Sequence, residues 1–227
     1  MMPGTLFVTA TPIGNFEDIT LRAIKVLQSV DFIICEDLKD ARRLLSKLEI
    51  RKELVTLNEH DEAENTPLIV ERLINGESAA LISDCGTPMF ADPGHHLLDN
   101  LLAFGVEAVP VPGASSLTTA LSVSALHAEK FYYYGWLPVK KDLRVKELKR
   151  LTRLNELIVF LETPYRLKNI AREIVDNFGR GAETVLAFDL TQTSERIIRG
   201  SAGKLLEEVT KKNLKGEFVL MVDNRKK

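Results

Sequence analysis

The sequence predicts an α/β protein with two domains, a parallel sheet wound with helices followed by a second, mixed sheet. Two observations carry this expectation. Short apolar runs of strand length alternate with helical periodicities from the start of the chain, and three of them are nearly all apolar, as suits strands covered on both faces. In the second half the final strand-like runs lie close together, with little helix between residues 188 and 196, which suits antiparallel neighbours. The 227 residues, 45% apolar and 27% charged, have the balance of an ordinary globular protein and enough length to bury a core in each domain.

In the first half, residues 6–10, 32–35, 54–57, 79–83 and 108–111 are the strand candidates. Between them Ala23, Val26, Leu27 and Val30 fall at i, i+3, i+4 and i+7, and Ala41, Leu44, Leu45 and Leu48 repeat the spacing. Each set is a single apolar stripe of a helix lying on a sheet. Thr66 and Pro67 read as the N-cap and first residue of a third helix that Asn75 and Gly76 end; Gly105 ends a fourth, carrying Leu97, Leu98, Leu101 and Leu102. A strand-helix unit repeated about four times is a parallel winding.

The stretch at 112–116 closes that repeat and sets a first domain at 1–116 and a second at 117–227. The second begins with a helix and an aromatic strand at 131–134. A charged segment follows, then a strand at 157–161 and a helix with Leu167, Ile170, Ala171, Ile174 and Val175 on one face. Strands at 184–188, 196–199 and 218–222 complete it.

Several function classes lose support at this level. The formal net charge of −2 provides no global attraction for nucleic acid, so any RNA contact needs a local basic patch. Cys35 and Cys85, fifty positions apart, form neither a disulfide framework nor a metal spacing. No basic leader precedes an apolar core, and no run approaches the ~20 apolar residues of a membrane helix. A cytoplasmic protein is the expectation. The phosphate-cradling GxxxxGK[ST], the dinucleotide GxGxxG and the zinc-binding HExxH are all absent.

In an open α/β sheet ligands collect beyond the carboxyl ends of the strands. Those ends carry Thr11-Pro12-Ile13-Gly14-Asn15, then Glu36-Asp37, then Asn58-Glu59-His60-Asp61-Glu62. Asp84-Cys85-Gly86-Thr87-Pro88 and Pro112-Gly113-Ala114-Ser115-Ser116 follow the last two strands. Any one such loop is ordinary turn chemistry; five together mark a site. Glu36 and Asp37 stand out, because adjacent carboxylates repel unless a cation or hydrogen-bond donors meet them. His95 and His96 read as packing or capping residues, and Cys85 as a small filler, since no fixed base accompanies it. From 140 to 153 the chain carries Lys140, Lys141, Arg144, Lys146, Lys149, Arg150 and Arg153 against Asp142 and Glu147. This run reads either as a solvated helix face or as a set of phosphate contacts.

The phrases LFVTATPIGNFEDITLRAIKVL, ICEDLKDARRLL, LNEHDE, ALISDCGTPMFADPG, VPVPGASS, GWLP, FLETPYRL and KGEFVL, in this order over almost the whole chain, resemble the tetrapyrrole methylase superfamily. Within it they resemble the ribosomal RNA small subunit methyltransferase I branch. The resemblance implies two α/β domains, a homodimer, S-adenosylmethionine held in the interdomain cleft, and methyl transfer to the ribose 2′-hydroxyl of a cytidine in small-subunit (16S) ribosomal RNA. On matching positions it implies that Pro12, Asp84, Cys85, Gly86, Thr87, Phe90, Ser115 and Ser116 line the cofactor, with Leu161 and Leu190 closing over it from the second domain.

The chain departs from the branch at Leu38-Lys39-Asp40, in PGASS at 112–116 and in Phe188-Asp189-Leu190-Thr191-Gln192, and it stops soon after KGEFVL, where many members continue. Methyl transfer is an in-line displacement that needs no metal, and alignment alone can supply ~7 to 11 kcal/mol. A ribose hydroxyl also needs a base to accept its proton. Glu36 and His60 are the first candidates, with Asp37 and Glu59 as positioning groups. Competing expectations are a small tetrapyrrole-like acceptor, a non-catalytic cofactor-binding paralogue, and a thiol hydrolase built on Cys85 and His60.

Overall fold

A computed structural model describes residues 2–58, 61–90 and 94–226, and these divide into two compact units, one ending at Ser115 and the other beginning at Ser116. In the first unit the strands are β1 (Thr5–Thr9), β2 (Phe32–Cys35), β3 (Glu53–Thr56), β4 (Ala79–Leu81) and β5 (Glu107–Val111). They form one parallel sheet in the order β3-β2-β4-β1-β5. The intervening helices are α1 (Leu21–Ser29), α2 (Leu38–Lys47), α3 (Glu62–Ile74) and α4 (His95–Ala103).

The period of two along β2 explains the layering. Phe32 and Ile34 face a core with Ile69, Leu73, Leu97 and Leu101 of α3 and α4. Ile33 and Cys35 face the opposite layer, with Ala23, Leu27, Ala41, Leu44 and Leu45 of α1 and α2. Both faces of the sheet are therefore dry, as the all-apolar strands require. The stripes on α1 and α2 anticipated from sequence are the buried ones, and the Thr20 hydroxyl caps α1 by accepting from the Ala23 amide at 3.0 Å.

One boundary differs from the expectation. Thr66 and Pro67 do not start α3; the helix begins at Glu62 after Asp61, and Pro67 lies inside it. Glu62 and Glu64 in the first turn favour the positive end of the helix dipole, and Val70 and Leu73 bury the following turns. That packing offsets the one backbone bond a proline forgoes. Thr66, freed from capping, is buried with its hydroxyl unpaired.

The second unit holds α5 (Ser116–Ser122), β6 (Tyr132–Gly135), α6 (Lys141–Leu151), β7 (Leu157–Glu162), α7 (Leu167–Phe178), β8 (Glu183–Phe188), β9 (Arg196–Ser201), α8 (Ala202–Lys212) and β10 (Phe218–Asp223). Its sheet runs β6-β7-β10-β8-β9. β6 and β7 are parallel and the other pairs antiparallel, so the sheet is mixed, as predicted. Ile158, Phe160, Leu186, Leu220 and Val222 pack beneath Leu148, Ile170, Ile174 and Leu205. Among the described residues no helix is long and apolar enough to cross a membrane.

Candidate functional site

The loops at the carboxyl edge of the first sheet are tied to one another by backbone bonds and by hydroxyls that donate to backbone carbonyls. Beyond β1, the Thr11 amide donates to the Gly86 carbonyl at 2.8 Å, and the Gly86 amide donates back to the Thr11 carbonyl at 3.2 Å. The buried Thr11 hydroxyl donates to the Ser83 carbonyl at 3.2 Å, and the Ser83 hydroxyl to that of Cys85 at 3.1 Å. The Thr87 hydroxyl reaches the Ala114 carbonyl beyond β5 at 3.3 Å. Gly86 has φ +81°, where a side chain is strained, and a Cβ at Gly113 would lie 3.0 Å from that of Ala10. Glycine at these positions lets three loops approach as closely as they do.

The β2 loop joins through charge. The Asp37 amide donates to Asp84 Oδ1 at 3.2 Å, and the Asp37 carboxylate accepts from the amides of Lys39 and Asp40 at 2.6 and 3.3 Å, capping α2. Asp37 is thus held by the helix start, and Glu36 lies half-buried just before it. Burial pushes the Asp84 carboxyl up, Asp40 and Asp37 add to the shift, and the bond from the Asp37 amide opposes it. Burial, with Asp84 and Asp37 adding, pushes the Cys35 thiol up to about 12. This edge carries an excess of negative charge that a cationic group would relieve.

Of the residues singled out from sequence, Pro12, Glu36, Asp37, Asp84, Cys85, Gly86 and Thr87 come together on this edge. Pro12 and Gly86 are buried, whereas Cys85, Thr87 and Phe90 are exposed. Glu59 and His60 lie outside the described residues. Ser115 closes the first unit and Ser116 starts α5. Thr11, Ser83 and Asp40 also build the edge; Thr11 was named within its loop but given no role, and Ser83 and Asp40 were not singled out, although Thr11 and Ser83 each stand two places past a strand.

In the second unit Leu161 pairs with Val219 on β10, and Leu190 follows the end of β8, so both flank the start of β10. The Leu190 turn is fixed by its neighbours. The Asp189 amide donates to the Glu217 carbonyl at 2.8 Å, the Ser194 hydroxyl donates to Asp189 Oδ2 at 2.8 Å, and Asp189 and Thr191 have φ of 45° and 64°.

The basic run at 140–153 is not a uniform solvated face. Arg144 is buried on the inner stripe of α6 with Leu148 and Leu151, and meets Glu173 of α7 through two bonds of 2.6 and 2.8 Å. Its third nitrogen donates to the Pro138 and Val139 carbonyls at 3.0 and 2.7 Å. Arg150 pairs with Glu147 at 2.9 Å. Lys140, Lys141, Lys146, Lys149 and Arg153 remain exposed.

The residues of the first edge fit a cationic adenosyl donor. The carboxylates suit a sulfonium, and the glycine loops allow close backbone approach. Comparisons with known proteins agree. Residues 5–206 match the family model of Tetrapyrrole (Corrin/Porphyrin) Methylases. The chain is 36% identical over 228 residues to the ribosomal RNA small subunit methyltransferase I of Pasteurella multocida, covering 100% of this chain and 81% of that protein. It is 36% identical to the protein of that name in Thermotoga maritima, covering 98% of this chain and 99% of that one. A crystal structure of uroporphyrin-III C-methyl transferase from Thermus thermophilus, complexed with S-adenyl homocysteine, shares the fold with a TM-score of 0.67 at 21% identity, over 97% of this chain and 98% of that one. The chain belongs to the tetrapyrrole methylase family of S-adenosylmethionine-dependent methyltransferases, within its ribosomal RNA small subunit methyltransferase I group.

Proposed function

We propose that the protein transfers a methyl group from S-adenosylmethionine to the ribose 2′-hydroxyl of a cytidine in small-subunit ribosomal RNA, as a homodimer in the cytoplasm. One observation carries this reading: near-complete coverage, at 36% identity, of a relative named for methylation of that RNA. Pro12, Asp84, Cys85, Gly86, Thr87, Phe90, Ser115 and Ser116 are proposed to hold the cofactor, with Leu161 and Leu190 as further contacts. When bound, the cofactor supplies an electrophilic methyl on a sulfonium.

The chain's own residues provide alignment and a proton acceptor. The hydrogen bonds that join the Thr11 and Gly86 loops through their backbones, and the Ala114 loop through the Thr87 hydroxyl, support a donor position that needs no reorganisation. The Glu36 carboxylate is our first candidate to accept the hydroxyl proton, with His60 as the second, while Asp37 and Glu59 position the loop. Asp37 supports that division of labour, since its carboxylate is occupied by the α2 amides.

The test is incubation with labelled cofactor and 30S subunits lacking the modification, followed by mapping of the labelled nucleotide. Label on a cytidine ribose is the expected result. Absence of transfer to any RNA, with transfer to a tetrapyrrole, would move the assignment to a small-molecule acceptor. E36Q and H60A variants that both retain turnover and cofactor affinity would displace the proposed bases.

A further inference from the structure

The parallel pairing of β6 with β7 brings two loops to one edge of the second sheet: residues 136–139 after β6 and 163–166 after β7. These loops are clamped by buried charge. Arg166 donates to the Leu137 and Pro138 carbonyls, both at 3.0 Å, and pairs with Glu162 at 3.1 Å. Glu162 accepts from the Leu137 amide at 3.1 Å, and Arg144 holds the Pro138 and Val139 carbonyls from the other side.

From this fixed backbone two aromatic side chains project into solvent, Trp136 at 47% and Tyr165 at 89% exposure. A ring so exposed adds little to the core, and single exposed aromatics are unremarkable. Two of them on adjacent clamped loops beside a basic helix call for a ligand. Lys140 and Lys141 continue directly from the first loop, Lys168 lies three residues beyond Tyr165, Lys146 and Lys149 are on α6, and Arg153 follows its end. Rings supply faces for bases, and the lysines supply charge for phosphates.

We propose that Trp136 and Tyr165 are a stacking platform for unpaired bases of an RNA strand whose phosphates are taken by the lysines of α6. The proposal rests on the RNA methyltransferase reading and adds the form in which the RNA is taken. In an A-form duplex the base faces are already stacked on one another, so a duplex uses the lysines but not the rings. The platform therefore selects a single-stranded segment.

Trp136 is the sole tryptophan of the chain, so its emission reports the platform directly. The experiment titrates the full protein with a short single-stranded RNA of mixed sequence, and with the same strand annealed to its complement. The expected result is quenching by the single strand and little by the duplex. W136A and Y165A, followed by anisotropy of labelled RNA, each weaken single-strand binding about 5- to 150-fold, the range that stacking energies per base imply. W136F retains most of the affinity because a phenyl ring still stacks. K146Q with K149Q weakens both RNAs and makes the salt dependence of single-strand binding shallower by about 0.7 for each phosphate that is no longer neutralised.

Equal quenching by single strand and duplex, or W136A and Y165A binding as the parent does, would overturn the platform. So would quenching by 30S subunits but by no RNA, which would mark a protein-docking face. Methyl transfer to 30S subunits is measured alongside, with calorimetry of S-adenosylhomocysteine binding. A raised KM at unchanged kcat in W136A and Y165A supports the platform. Parent-like KM removes the platform alone, whereas a parent protein that modifies no RNA removes the underlying function.

Discussion

Arg144 affords the sharpest test of how the second unit is held together. Its guanidinium makes two bonds to Glu173 and two to backbone carbonyls of the loop carrying Trp136, and the side chains of the pair are only 10% and 12% exposed. Replacing it by methionine leaves the Glu173 carboxylate buried without its partner, a loss of about 3–5 kcal/mol. That is a large share of the ~5–15 kcal/mol by which a domain is stable. In R144M/E173L the stranded charge is gone, and only the two carbonyl bonds remain unmade, about 1–3 kcal/mol in total. Urea unfolding followed by Trp136 fluorescence reads the second unit selectively. The reasoning fails if R144M costs under about 1 kcal/mol, or if the double variant is no more stable than the single one.

Four further outcomes follow from the same geometry. D37A costs about 1 kcal/mol by removing the α2 cap while D37N does not, which thermal melting distinguishes; turnover preserved in D37N confirms a structural role for that carboxylate. Because the fold raises the Asp84 pKa, the folded chain keeps that proton to higher pH than the unfolded chain does; the stabilisation is complete below the ordinary aspartate range and is lost as pH rises through the raised value. D84N should flatten that decline in melts across pH. Alkylation in mild base should modify the exposed Cys85 and spare the buried Cys35, whose thiol is pushed up to about 12, as peptide mapping would show. A Cβ at Gly216 would lie 2.1 Å from Asp189 Oδ1, so G216A must move the turn carrying Leu190. It should cost about 1–3 kcal/mol and weaken S-adenosylhomocysteine binding in calorimetry.

The parallel sheet was legible because β2 and β4 are apolar on both faces and the α1 and α2 stripes are regular. The site edge was legible as a set of loops, since strand ends are where an open sheet places its ligands. What composition concealed was direction. Arg144 reads as one more cation among seven, yet its spacing of four and seven from Leu148 and Leu151 puts it on the buried stripe. The start of α3 was misplaced because Thr66-Pro67 is a strong local signal, overridden by the acidic turn before it and the apolar one after. Asp37 was expected to be a positioning group, but its sequence context does not reveal that the amides of Lys39 and Asp40 occupy its carboxylate.

The strand order of the second unit also bears on synthesis. β10 runs between β7 and β8 and binds both along its whole length, yet it follows all of its sheet partners in the chain. The first unit has every strand by Val111 and can close while translation continues. The second holds an empty slot at its centre, with two unpaired edges, until residues 218–223 emerge from the ribosome. Chaperone dependence and premature-stop aggregation should accordingly concentrate in that unit.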